Sequence, residues 1–210
     1  MKSINYLISL FDLTGNASKP YKEAGWKVVQ IDIQLGVDIL KWDYRKWYFE
    51  NKEKINGLGI IAMVPCTDYA LSGAKHFAAK DADGRTEQSQ KLVAKTKEII
   101  DFFDKKKVLR FWQIENPMSR IHKLNTWMGK PRLKFNPRDY AGYDPTPKNS
   151  QYNKMTWLWG NFNLPKQKPL PALSKEYPGF KKLGGKSLKT KNARSITPLG
   201  FSYAFFKYNH

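Results

Sequence analysis

Gly59-Ile60-Ile61-Ala62-Met63-Val64-Pro65-Cys66-Thr67-Asp68-Tyr69-Ala70-Leu71-Ser72-Gly73 is the stretch that decides the fold. Its apolar run, residues 58–64, follows a break at Gly57 and reads as a buried strand. Working outward, β-type runs at 6–11, 27–33 and 108–114 alternate with helical stretches at 20–24, 44–54 and 85–104. In the last stretch Leu92, Val93, Ile99, Ile100 and Phe103 recur at helical spacing. Such alternation predicts an α/β sheet with helices on both faces. Counting a short element at 37–40 as the third strand, 58–64 is the fourth and 108–114 the fifth. Further along, 128–150 is turn-rich around a short strand at 133–135, and 155–162 reads as a strand. Residues 163–194 read mostly as loop, and 197–208 form a final apolar segment.

A length of 210 residues suits one compact unit with a substantial core. No apolar run is long enough to span a bilayer, and the early Asp12 argues against a secretion signal, so a soluble cytoplasmic protein without membrane association is expected. Lys and Arg total 37 against 18 Asp and Glu, a formal charge of +19. That balance favours a polyanionic partner, because neutralising phosphates releases counterions. One cysteine permits no internal disulfide and no C-x-x-C metal site, and no metal is expected.

Ligands of open α/β sheets bind beyond the carboxyl ends of strands, where strand order reverses. Phe11-Asp12-Leu13-Thr14-Gly15 leaves the first strand, and Asp32 closes the second about twenty residues on, the place of an acid that holds a ribose. Strand-end Gly and Asp arise equally from turn chemistry. Cys66 leaves the fourth strand; a lone Cys is often an inert buried hydrophobe, but Pro65, Thr67 and Asp68 argue that this one emerges from the core. Backbone N–H groups and positive charge there would lower its thiol pKa. Glu115, before Asn116 and Pro117, closes the fifth strand, where desolvation would raise its pKa and suit it to proton transfer. A strand-end acid facing water is the competing reading. His76 and His122 stand isolated, and Trp157 and Trp159 read as sheet packing.

These fragments, in this order, resemble the cytosine-5 DNA methyltransferases, and short phage-like members in particular. Leu10 to Gly15 resembles the cofactor loop, Asp32 with Ile33 the ribose-holding end of the second strand, and Asp38 the acid at the adenine. Pro65-Cys66 resembles the nucleophile motif, Glu115-Asn116 the second catalytic motif, and Ala193 to Pro198 the last motif, which brings Ser195 to the cofactor. The resemblance implies a Rossmann-like class I S-adenosylmethionine-dependent methyltransferase sheet. It also implies S-adenosylmethionine as cofactor, S-adenosylhomocysteine as product, and DNA carrying a flipped-out or single-stranded cytosine as substrate. Cys66 would add to C6, Glu115 would hold N3, and C5 would take the methyl group. Thr67, Asn116, Pro117 and Lys154 would lie against the base.

The chain departs from the family pattern at Leu13, where a Gly is usual, and at Thr67, where a Gln is usual. Gln151 to Thr156 offers Lys154 but no arginine in register. Between a catalytic core, 1–162, and a returning C-terminal segment, 193–210, lies a short basic segment, 163–192, in place of a large target-recognition region. Lys181, Lys182, Lys186, Lys189 and Lys191, with Arg194 just beyond, are interleaved with Tyr177 and Phe180 and suit phosphate contacts and stacking. A solvated loop is the other reading, and a protein partner could supply target recognition. Two other readings stay open: a DNA-binding relative that masks sites without catalysis, and a transferase acting on RNA, a nucleotide or with a carboxylated cofactor. For the last, a basic residue near the sulfonium, Lys19 or Lys154, is the feature to find.

Overall fold

A computed structural model describes residues 3–173 and 187–210. The chain runs β1 (Ile4–Leu10), α1 (Lys19–Glu23), β2 (Lys27–Ile31), α2 (Tyr44–Asn51), β3 (Ile55–Met63), α3 (Phe77–Ala82), α4 (Arg85–Lys105) and β4 (Leu109–Pro117). It continues through α5 (Ile121–Leu124), β5 (Leu133–Phe135), β6 (Thr156–Asn161), α6 (Leu188–Ser195) and α7 (Leu199–Tyr208). One six-stranded sheet has the order β2-β1-β3-β4-β6-β5. The first four strands of that order are parallel, and β6 is antiparallel to β4 and β5.

Alternation along the strands dictates the two layers. Tyr6, Ile8 and Leu10 with Leu58, Ile60 and Ala62 face Tyr44 of α2 and Val93, Ile99, Ile100 and Phe103 of α4. Leu7, Ile61, Met63, Phe111 and Leu158 face Tyr21 of α1 and Phe201, Ala204 and Phe205 of α7. Burial on both sides makes β3 apolar throughout its second half, so the strand that decides the fold is central and parallel. The α/β, Rossmann-like architecture expected from the alternation is the one observed. No described helix is long and apolar enough to cross a membrane.

Three details differ from the sequence reading, and a fourth fills in what it left open. Residues 37–40 form a turn rather than a strand, because Gly36 takes φ +84° and the Asp38 carboxylate accepts from the Leu40 N–H at 2.9 Å. The strands carrying Cys66 and Glu115 are therefore the third and fourth. The second strand stops at Ile31, since the Asp32 side chain accepts from the Gln34 N–H at 2.8 Å and starts a tight turn. The last apolar segment, to which the sequence reading gave no element type, contains helix α7, whose Phe201 ring stacks on Phe135 at 4.2 Å. Finally, α6 lies in the stretch read as loop; Ser187 caps it by accepting from the Thr190 N–H.

Gly59 has a packing reason. A Cβ there would sit 2.1 Å from the Phe111 ring on the neighbouring strand. Gly59→Ala is expected to lose about 1–3 kcal/mol through overpacking, measured as a lower urea midpoint at unchanged slope. Gly73→Ala, whose Cβ would meet nothing within 4 Å, should stay within about 0.5 kcal/mol.

Candidate active site

The sheet order reverses at β1, whose neighbours are β2 and β3. Beyond the carboxyl ends of these strands and β4 opens a cavity of about 940 Å³. It is large enough for a nucleoside cofactor together with part of a substrate. Phe11, Asp32, Ile33, Asp38, Pro65, Cys66, Thr67, Glu115, Pro117, Lys154, Arg194 and Ser195 all line it.

The end that holds Cys66 and Glu115 is built by strand register. Met63 of β3 pairs with Glu115 of β4, so the chain leaves β3 toward Cys66 beside that carboxyl. Asn116 does not line the cavity. It is fully buried, and its amide donates to the Val64 carbonyl at 2.9 Å, tying the two strand ends together. The Cys66 carbonyl then accepts from the Tyr69 and Ala70 N–H groups at 3.0 and 2.9 Å, which curls the loop. Further out, Lys80 pairs with Asp68 at 3.1 Å, both nearly buried, and also donates to the Thr67 carbonyl. Arg120 donates to the Asp68 carbonyl at 3.2 Å and clamps Asp81 with bonds of 2.8 and 2.6 Å. The Cys66 loop is therefore fixed from behind by side chains that do not line the cavity.

Electrostatics couple Cys66, Glu115 and Lys154. Burial raises the Cys66 thiol above its ordinary range and the Glu115 charge raises it further, while Lys154, the backbone N–H of Cys66 and Lys80 act in the opposite sense. This corrects the expectation of a lowered thiol: desolvation and a neighbouring carboxylate outweigh the positive groups. Glu115 is raised by burial against the pull of Lys154, in the direction expected, which favours its neutral acid. Lys154 is held by donating to the Arg194 carbonyl at 2.7 Å, a bond that joins this end of the cavity to α6.

At the other end the first loop behaves differently from the sequence reading. Asp12 is buried away from the cavity, and one carboxylate oxygen accepts from Ser9 Oγ, Ser18 N and Ser18 Oγ at 2.8, 3.2 and 2.9 Å. Thr14 is exposed and accepts from the Asn16 N–H, and Gly15 donates to the Asp12 carbonyl; neither lines the cavity. The walls from this loop are Phe11, held at φ +60°, and Leu13. A left-handed conformation at a bulky residue is strained, and such strain concentrates at functional sites. Leu13, the departure from the family pattern, thus supplies apolar wall. Lys19 pairs with Glu23 at 3.8 Å and lies off the cavity.

Gln34, Leu188 and Asn192 line the cavity and had not been singled out. Gln34 and Asn192 exchange amide bonds of 3.1 and 2.8 Å, closing the turn after β2 against α6. Ile33 and Leu188 line the cavity while 72% and 61% exposed, and so offer it apolar surface. The nearest sequence signal was Ile33 itself, an apolar residue just past a strand-ending acid. Of the basic segment, Lys191 and Arg194 line the cavity and Lys189 is exposed on α6 outside it. Lys181, Lys182 and Lys186, with Tyr177 and Phe180, lie outside the described residues.

The chain matches none of the protein-family models and none of the curated proteins against which it was compared. Among solved structures it is similar to an E. coli protein described as a candidate DNA modification methyltransferase encoded within a prophage. The similarity has 16% identity and a TM-score of 0.41, and covers 88% of this chain and 56% of that one. The chain spans little more than half the length of that protein.

The signs of the coupling fix an expected result. Glu115→Gln should lower the pKa of Cys66 and Lys154→Ala should raise it, read as opposite shifts in the pH dependence of iodoacetamide alkylation of the single thiol. No shift in either variant would separate the three groups.

Proposed function

We propose that this chain transfers a methyl group from S-adenosylmethionine to C5 of cytosine in DNA through a covalent Cys66–C6 adduct. The observation that carries the reading is the shared cavity: the only thiol, a neutral-leaning acid beside it and two acids at the far end line one space. The resemblance of the motifs to the cytosine-5 methyltransferases supports the same assignment of roles, and the charge of +19 suits a polyanionic substrate.

The far end fits the cofactor on its own chemistry. Asp32 spends one oxygen on the Gln34 N–H, leaving the other for ribose hydroxyls. Ile33 and Leu188 offer exposed apolar area to a purine, and Asp38 can accept from an exocyclic amine. S-adenosylmethionine, when bound there, supplies an electrophilic methyl group. Asp12, Thr14 and Gly15 shape the loop from behind, while Phe11, Leu13, Pro65 and Ser195 form wall.

At the catalytic end the chain's own groups manage one negative charge. With Glu115 neutral, the Cys66 proton is lost more easily than beside a carboxylate, and Lys154 favours the resulting thiolate. The thiolate adds to C6 as Glu115 donates to N3, so the charge moving into the ring is neutralised where it develops. C5, now an enamine carbon, would take the methyl group as the bond to the sulfonium sulfur breaks and S-adenosylhomocysteine leaves. Loss of the C5 proton to water then expels the Cys66 thiolate, N3 returns its proton to Glu115, and the aromatic ring is restored. Pro117 and Thr67 border the base. Asn116 acts through the Val64 carbonyl and is a positioning residue. Lys189, Lys191, Arg194 and the lysines at 181, 182 and 186 are assigned to DNA phosphates, with recognition of the target shared with a partner protein or confined to a short motif. A cytoplasm holding DNA, in a bacterium or a phage-infected cell, is where this chemistry would operate.

Incubating duplex and heat-denatured DNA with the protein and labelled cofactor, then weighing the nucleosides, tests the reading. Wild type should yield 5-methylcytosine, and Cys66→Ala should yield none while still binding the cofactor by calorimetry. Tight cofactor binding by wild type with no modified cytosine would move the chain to the reading of a transferase acting on RNA or a nucleotide, and no cofactor binding would move it to the masking, non-catalytic reading. A heavier cytosine adduct would point to a carboxylated cofactor and to Lys154.

A further inference from the structure

Three exposed apolar residues stand together at the catalytic mouth. The Leu71 N–H donates to the Met118 carbonyl at 3.0 Å, and the Met118 N–H donates to the Met155 carbonyl at 3.3 Å. Their exposures are 39%, 45% and 42%, although each side chain is large and apolar. Each sits just downstream of a group assigned to the chemistry: Leu71 after Cys66, Met118 after Glu115, Met155 after Lys154. Ala70, Ser72, Pro117 and Lys154, the chain neighbours of the trio, line the cavity, so the trio is its rim. Backbone bonds across three segments fix the row, and Ala70 and Ser119 add an isolated bridge beside it.

We propose that Leu71, Met118 and Met155 form an apolar wedge that enters the base stack of duplex DNA and holds open the gap left by an extruded nucleotide. This deepens the methyl-transfer reading and rests on it for the identity of the extruded base. A cytosine inside a duplex cannot reach Cys66, and extrusion leaves its neighbours unstacked. Apolar side chains inserted between base steps part and partly unstack them and keep the gap from closing, and unbranched methionines adapt to either face of the gap. Charge around the rim fits the same occupant. Lys75 and His76 are exposed on the turn that begins with Leu71, Lys123 is exposed on α5, and Lys134 lies 4.6 Å over the Trp157 ring, two residues from Met155. An apolar row amid cations matches a stack of bases between phosphate backbones. The substrate is accordingly duplex DNA.

The double variant Met118→Ser/Met155→Ser alters exposed side chains only. Permanganate oxidises thymines that have lost their stacking, so it reports opening without any methyl transfer. Linear duplex plasmid saturated with Cys66→Ala protein and S-adenosylhomocysteine should show thymine oxidation raised about fivefold over free duplex. The serine pair added to that protein should return it to the free-duplex level, with affinity by anisotropy retained within about threefold, because phosphate contacts remain. With Cys66 intact, the serine pair should lower 5-methylcytosine formation on duplex DNA about tenfold and on denatured DNA less than about twofold. Unchanged oxidation with the serine pair, or none with the parent protein at saturation, overturns the wedge. Oxidation that depends on the rim without 5-methylcytosine from wild type would keep the wedge and remove the methyl-transfer reading.

Discussion

The pairing of β3 with β4 is the constraint on which everything else rests. Both strands are parallel and central, and their register sets Met63 against Glu115. The Asn116 amide then locks the Val64 carbonyl, two residues before Cys66. A slip of one residue would send Glu115 to the opposite face of the sheet. Because both faces of these strands are buried, the slip would also expose the core, so the stability of the fold and the placement of the two reactive groups are one requirement.

From that seam the cavity has two ends with different physics. The Cys66 end concentrates titratable groups: a raised thiol, a raised carboxyl and one lysine whose charge reaches both. The far end is mostly apolar, with acids at strand and turn termini that each spend one oxygen on a backbone N–H. The α6 segment touches both ends, through the Gln34–Asn192 amide pair and the Lys154 bond to the Arg194 carbonyl. A ligand lying between α6 and the turn after β2 would therefore be felt at Lys154.

Much of this was legible in the residues. Apolar runs ending in Cys66 and Glu115 read as strands because burial on both faces leaves no polar alternation to obscure them. Helix α4 read clearly because Val93, Ile99, Ile100 and Phe103 recur on one face. Other features depend on contacts that sequence spacing does not carry. Val37 to Leu40 is apolar enough for a strand, and only the left-handed Gly36 and the Asp38 turn bond prevent one. Asp12 sits where a ligand-binding acid would, yet Ser9 and Ser18 draw it inward. Helix α6 is lysine-rich with one buried residue, Thr190, so it shows no apolar stripe. The direction of the Cys66 shift needed the depth of the cavity and the side of the strand taken by Glu115.

The central claim is that Cys66 becomes bonded to cytosine during turnover. DNA in which cytosine carries fluorine at C5 offers the same addition but cannot lose a proton there, so the bonded state should persist. Mass spectrometry of the digested complex should find the nucleotide on the peptide that contains Cys66, only when S-adenosylmethionine is present. Modified cytosine from ordinary DNA, with no trapped Cys66 peptide from the fluorinated DNA, would contradict the account.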